Sequence, residues 1–490
     1  MMKIVGKITL VAIMLLFQLS CGDWMEQLPP QGLTREEFWK TKEDVESVLM
    51  GAYSIFASLD GQLLKYGELR GDMISDDVNM SEDDRKIMES NIYPDNSLCD
   101  WAKFYQVIND CNEVIKFSPE VQSIDNTFSD YIMYGFLSEA YFLRSLSYFY
   151  LVRIFKDVPY ITEPSETDAT NFYIAKTYGE EILAHLTEDL ETYRIYATID
   201  GYPTVTELKG RATKGAIDAL LADIALWNFD YEAVIQHVQD IEATHKYAVI
   251  PTADWFSIFN PGNSGEGIFE FQFEDRQNRK NNVAGMTSRY SYNIDPSDRA
   301  LEIFAVKFGS NEIYRGEKAS IIKYTENDYG IWKYVGNPDG ETTRPGSTAA
   351  SANWIVYRYA DVLLMKAEAL SQLGRYPEAL AIINQIRVRA DVPPVNPPNS
   401  AIGYEDYIMD ERALELAFEG KRWFDLLRMG RRNDYLRKNK LIEIMVRNVP
   451  STQKRILATK LTNPMGWYLP IQDIELERNK NLVQNPYYNF

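Results

Sequence analysis

The sequence predicts a mostly α-helical protein: tetratricopeptide-like helical pairs form a scaffold that carries loop-rich segments and a few short β-strands. Three observations predict it. Residues 359–373 are apolar almost all round (Val362, Leu363, Leu364, Ala367, Leu370, Leu373), which reads as a buried helix. Gly374 stands where a helix can end in the left-handed conformation, and Pro377 suits the first turn of a second helix. Ala379, Leu380, Ile383 and Ile386 then form one stripe facing a partner. Residues 212–245 repeat the arrangement, with a turn at 228–230 and Ala233 in the small position that Ala379 holds. Finally, residues 131–155 make a long aromatic helix whose Tyr141, Leu143, Tyr148, Phe149 and Leu151 cover more than one face, implying burial between neighbours. One helical pair cannot bury its own faces, so further helices must flank each.

The remaining elements follow in order. Thr34 with Glu37 is a capping-box pattern, so a helix is expected over 35–59, broken near Thr41. Residues 69–100 mix acidic, amide and turn residues without a period and read as surface loop with short turns. Helices are expected over 101–117 and 178–196. Residues 267–273 alternate, with Phe269, Phe271 and Phe273 on one side and Ile268, Glu270 and Gln272 on the other, as in a half-buried strand. Residues 275–297 and 324–351 read as decorated loops, with a short strand near 321–324. Glu411, Arg412, Glu419, Arg422, Asp425 and Arg428 lie at helical steps and read as charges paired along helix surfaces.

Charge and cysteine usage bound the function. Lys plus Arg number 51 against 71 Asp plus Glu, a net charge of −20 that repels phosphate backbones and argues against nucleic acid as a partner. At the N-terminus Lys3 and Lys7 precede an apolar run over 8–17 that is too short to span a bilayer, which is the layout of a secretory signal. Leu19-Ser20-Cys21 resembles a bacterial lipobox, although Gln18 stands where an apolar residue is usual; the resemblance implies lipidation of Cys21 and cleavage before it. Cys99 and Cys111 show no metal spacing and no CxxC pair; they read first as buried free thiols, with a disulfide as the alternative in an exported protein.

A family resemblance rests on ordered segments. NWIVYRYADVLLMKAEAL, an IN-x-IR segment and ER-x-x-EL-x-x-EG-x-RW-x-DL-x-R-x-G resemble the SusD/RagB family of Bacteroidetes outer-membrane nutrient-binding lipoproteins. The segments around 34–56, 101–112 and 141–160 agree, as does the ending around Pro470 and Pro486, where Lys480 and Tyr487 replace the usual Pro and Gly. The resemblance implies a SusD-like fold, with 1–20 as signal peptide, 21–34 as tether, 35–260 as the N-terminal helical part and 261–490 packed with it as one unit. It also implies an outer-membrane location facing the cell exterior, a glycan ligand and a partner transporter of the TonB-dependent SusC type. Asp23 and Glu26, just after Cys21, resemble the surface-export signal of such lipoproteins.

Residues for covalent or metal chemistry are few. His185, His237 and His245 lie within or at the ends of expected helices with no HExxH or nearby Cys, and no nucleotide or hydrolase fingerprint occurs, so neither a metal, a cofactor nor a catalytic residue is assigned. A surface glycoside hydrolase, or a peptide-binding relative, stands as the alternative. Binding without turnover needs flat aromatic faces beside Asp, Asn or Arg in fixed places. The non-periodic stretches 72–93 and 289–292 have that mixture, with 329–334 a third. The candidates are Asp72, Asn79, Arg85, Tyr93, Tyr290, Tyr292 and Trp332; Trp332 and Tyr334 could equally be strand core.

Overall fold

Helices supply most of the frame, and several begin at a side-chain cap, among them those capped by Thr41, Ser129, Thr213 and Ser400. The computed structural model describes residues 38–76, 79–165, 171–289, 294–304, 315–447, 449 and 451–489. Thr34, Glu37 and Cys21 lie outside them. The expected break near Thr41 is a true helix start: its hydroxyl accepts from the Asp44 N–H and the Asp44 carboxylate returns to the Thr41 N–H, opening α1 (Lys42–Ala57). After α2 (Asp60–Glu68) the loop-like stretch holds a short helix, α3 (Glu82–Met88), and a 3-10 turn at Ser97–Cys99. Helices α4 (Ala102–Ile124) and α5 (Asp130–Phe155) pack against α1 and against each other. Their rings meet inside: Phe56 lies 5.9 Å from Phe104, which stacks on Tyr150 at 6.1 Å. The aromatic stripe of α5 is therefore core, with Tyr148 and Phe149 fully buried.

Helix α6 (Gly179–Tyr193) leads to the first hairpin, α7 (Lys214–Trp227) with α8 (Tyr231–Ala243). The second, α9 (Tyr359–Gln372) with α10 (Tyr376–Arg389), turns at Gly374, whose φ of +75° is the left-handed state expected there. Ala367 and Ala379 are fully buried in this pair. Helix α8 packs directly on α9, so the two hairpins stack although a long segment separates them in sequence. Two more helices, α11 (Ala401–Glu415) and α12 (Arg422–Tyr435), continue the second half's frame, and shorter helices follow them towards the C-terminus.

The strands pair in twos, all antiparallel: β1 (Ile74–Asp76) with β5 (Ile294–Pro296), β2 (Val158–Pro159) with β3 (Lys176–Thr177), β4 (Gly267–Phe271) with β8 (Trp354–Arg358), and β6 (Ile321–Thr325) with β7 (Asp328–Ile331). Strand β4 departs from the half-buried reading. All five of its residues are buried, Glu270 included, because Asn263 N and Asn353 Nδ2 donate to the Glu270 carboxylate at 3.0 and 2.9 Å. Strand β8, directly before α9, has no alternation in sequence because both its faces are covered.

The charged residues at helical steps do pair, but in the interior and across elements. Arg358, at the end of β8, reaches Glu266, Glu415 and Glu419; Arg315 reaches Glu411 at 2.7 Å; Arg412 bridges Asp361 and Asp425; and Arg428 holds Glu368 at 2.7 Å. Each of these groups is 2% exposed or less, apart from Asp425 at 3%, so the reading of surface pairs is corrected. Helical spacing shows which charges share a face; it cannot show that the face is covered. Burial alone would raise Glu368, but the Arg428 and Arg432 guanidiniums outweigh it and hold the carboxyl at about 2.

Glu68 sits in the same interior with the opposite balance. Its Oε1 accepts from the backbone N–H groups of Gly420 (2.9 Å) and Lys421 (3.3 Å), yet burial pushes its carboxyl up from 4.5 to about 8. A carboxyl raised on folding contributes its full stability below 4.5 and loses it as pH rises to about 8. Wild type should therefore lose up to about 1.4 kcal/mol per pH unit across that window from this one group. In Glu68→Gln the contribution is flat, so urea midpoints of the two proteins should converge in acid and separate towards pH 8 in the variant's favour; parallel curves would refute the assignment.

Candidate binding cleft

The antiparallel pairing of β1 with β5 sets the stretch 72–93, which the sequence marks as ligand-facing, against residues 294–296, at the end of the loop read over 275–297. Ile74 stands opposite Pro296 and Asp76 opposite Ile294, so residues 74–76 of the first half meet 294–296 of the second. Ser297 ties the junction: its Oγ donates to the Asp72 carbonyl at 2.6 Å and accepts from Ala300 N, capping the short helix Asp298–Ile303. The β6–β7 hairpin stands beside this ribbon. Strand alternation puts Lys323 on the side facing the ribbon and Tyr324 on the other, where Arg289 lies 4.4 Å over its ring and pairs with Asp328 at 3.2 Å.

Between ribbon and hairpin lies an open cleft of about 900 Å³. Its charged lining is Asp76, Asp295, Asp298 and Glu326 against Lys323 and Arg447. Tyr329 is its one aromatic side chain among the described residues, half-buried, with its hydroxyl 3.3 Å from the Glu326 carbonyl. Ser75, Ser297 and Asn327 add neutral polar groups. The described lining contains no imidazole or thiol. Carboxylates, a guanidinium, an ammonium and a phenol ring can bind a polyhydroxylated ligand through its hydroxyls and one apolar face.

The seven candidate residues fare differently. Arg85 reaches the rim, its Nε 3.4 Å from the Asp76 carboxylate. Asn79 is exposed just before α3, and Tyr93 is 47% exposed with Lys86 5.9 Å from its ring; neither lines the cleft. Tyr290 and Tyr292 lie outside the described residues. Asp72 is corrected: it is 1% exposed and held by Arg422 at 2.6 and 3.1 Å, a strut beneath the ribbon. Trp332 is corrected too. It is 1% exposed, donates its Nε1–H to the Asn337 carbonyl and packs with Trp255, Phe259 and Val335, so no ring face is left for a ligand. Tyr334 is likewise core, its hydroxyl bonded to the Phe418 carbonyl.

Sequence reasoning missed Asp295, Asp298, Lys323, Glu326 and Arg447. Ser75 and Asp76 fall in the first stretch singled out above and Tyr329 opens the third, so these carried a signal; Arg447, just after a helix remote in sequence (Lys438–Met445), carried none. The remaining chemistry-bearing residues lie elsewhere. His237 sits with Asp218 and Asp240 between α7 and α8, where Arg194 supplies the counter-charge at 2.7 and 2.5 Å. Cys99 and Cys111 are buried free thiols, and burial raises both well above the usual thiol range.

Comparison with known proteins agrees with this architecture. The model described as the SusD family matches residues 227–488, and one described as starch-binding associating with outer membrane matches 23–226. A SusD-like protein of Formosa agariphila is 27% identical, over 94% of this chain and 95% of its own. A crystal structure of a SusD superfamily protein from Bacteroides vulgatus superposes with a TM-score of 0.75 at 23% identity, covering 92% of this chain and 100% of the other. A laminarin binding SusD-like protein superposes with a TM-score of 0.71 at 20% identity, covering 91% and 99%. At these identities the two structures speak for the fold.

Proposed function

The chain belongs to the SusD family, and from that premise we propose that it is a lipid-anchored protein of the outer cell surface that binds a glycan and passes it to a SusC-like TonB-dependent transporter. It acts by binding alone. The observation that carries the glycan reading is the cleft: hydroxyl-binding groups and the Tyr329 ring gathered where two loop-rich stretches meet on a rigid helical frame. A laminarin-binding neighbour of the same fold supports a carbohydrate as the ligand class. Cys21 is the proposed anchor, with Asp23 and Glu26 as the proposed export signal.

The test is calorimetry of the soluble protein, lacking the segment up to Cys21, against a panel of neutral oligosaccharides that includes laminarin fragments. Tyr329→Ala should weaken binding of the best ligand roughly tenfold, equivalent to about 1.4 kcal/mol. Trp332→Phe should leave affinity unchanged. An absence of binding across the panel, or a released product on long incubation, would remove this reading.

A further inference from the structure

The charge of the cleft points to the class of glycan it takes. We infer that the cleft selects uncharged oligosaccharides and discriminates against sulfated or uronate chains, an inference that rests on the glycan-binding reading. Among the described residues, four carboxylates line the cleft against two cations. Arg85 and Arg289 beside the cleft are each held by a carboxylate, Arg85 by Asp76 of this same lining, so setting that pair aside leaves Asp295, Asp298 and Glu326 against Lys323 and Arg447. Arg85 lies 3.4 Å from Asp76, Arg447 is 3.1 Å from Glu443 and 3.9 Å from Asp72, and Arg289 is 3.2 Å from Asp328. The whole chain adds a background of −20.

The hydrogen-bond inventory points the same way. A carboxylate only accepts, and the two oxygens of one can take both protons of a vicinal diol. A sulfate or uronate on the ligand also only accepts, so beside Asp295, Asp298 or Glu326 it meets like charge and no proton to share. Charged-glycan recognition calls for forked arginine donors aimed into the site. Here the guanidinium that lines the cleft, Arg447, is engaged with Glu443, and exposed Lys323 is a single point charge on the hairpin facing exposed Glu326 and Asn327 at the turn.

The experiment uses matched ligands: one neutral oligosaccharide that binds, and its chemically sulfated derivative of the same length. At low ionic strength the neutral form should bind at least tenfold more tightly, and added salt should narrow the gap by screening the repulsion. Glu326→Lys, at an exposed turn where folding is not at stake, should narrow it as well. Equal or tighter binding of the sulfated form, weakening as salt rises, would overturn the inference while leaving the glycan-binding reading intact. If neither form nor any other glycan bound, that reading would fall and this inference with it.

Discussion

Arg358→Ala should destabilise the protein by about 3–5 kcal/mol, the usual cost of stripping one partner from a buried ionic group. Arg358 is 1% exposed at the end of β8. Its Nε and Nη atoms contact Glu419 at 2.8 Å, Glu415 at 2.8 Å and Glu266 at 3.3 Å, and Nη2 donates to the Glu415 carbonyl at 2.6 Å. Burial opposes ionisation of Glu415, but the guanidiniums of Arg389, Arg358 and Arg315 hold it well below the usual carboxylate range. Without Arg358, three carboxylates face one another with less counter-charge, and water cannot reach them. A urea titration at pH 7 measures the loss. Arg358→Lys keeps the charge but not the fork, so it should lie between wild type and Ala. The deficit should also shrink in acid, since the variant's carboxylates regain protons sooner than wild type's. A loss below about 1 kcal/mol would mean the network is not held together here.

Gly67→Ala should cost about 3 kcal/mol, at the upper end of what inserting one methyl group usually does. Gly67 lies in α2 with its backbone against the turn between α11 and α12, and a Cβ there would fall 1.9 Å from the Gly420 carbonyl oxygen. No rotamer relieves a contact with backbone. Gly420 cannot retreat easily, because its φ is +70° and its N–H is bonded to Glu68. Gly135, inside α5, is the control: nothing lies within 4 Å of a Cβ at that position. Gly135→Ala should therefore stabilise by about 0.5–1 kcal/mol through the helix alone. Thermal unfolding of both variants separates close packing from helix propensity, and similar midpoints would refute the contact.

Periodicity read the helices well because a helix declares itself over many residues at once. The α7–α8 and α9–α10 hairpins were legible down to the Gly374 turn, since small residues, a left-handed Gly and a Pro in the first turn each have a local cause. Strand β8 was not, because a strand covered on both faces loses the alternation that would mark it. The charges around Glu411–Arg428 were read correctly as paired and wrongly as exposed, since pairing follows from spacing while burial depends on what arrives from elsewhere in the chain.

The cleft was legible only as a neighbourhood. The acidic loop after α2 was marked by composition, and β1–β5 pairing sets it against residues 294–296, just beyond the marked stretch 289–292. Which side chains face the ligand is a matter of strand register and of a hairpin from a third segment. Asp72 and Trp332 have suitable chemistry, but both point into the core. Tyr329, two positions before Ile331 and on the cleft side, is where an aromatic face is presented.

The stacking of α8 on α9 bears on how the polypeptide reaches its shape. Residues Tyr231–Ala243 leave the ribosome, and cross the inner membrane if the chain is exported, long before Tyr359–Gln372 can cover them. The nascent first half therefore travels with a greasy flank exposed. Covering that face requires the distal hairpin, so this part of the native core is a contact of high sequence separation, which carries a larger loop-closure cost than a local one. The span between the two hairpins is thus a detour that joins two mating surfaces without forming either of them.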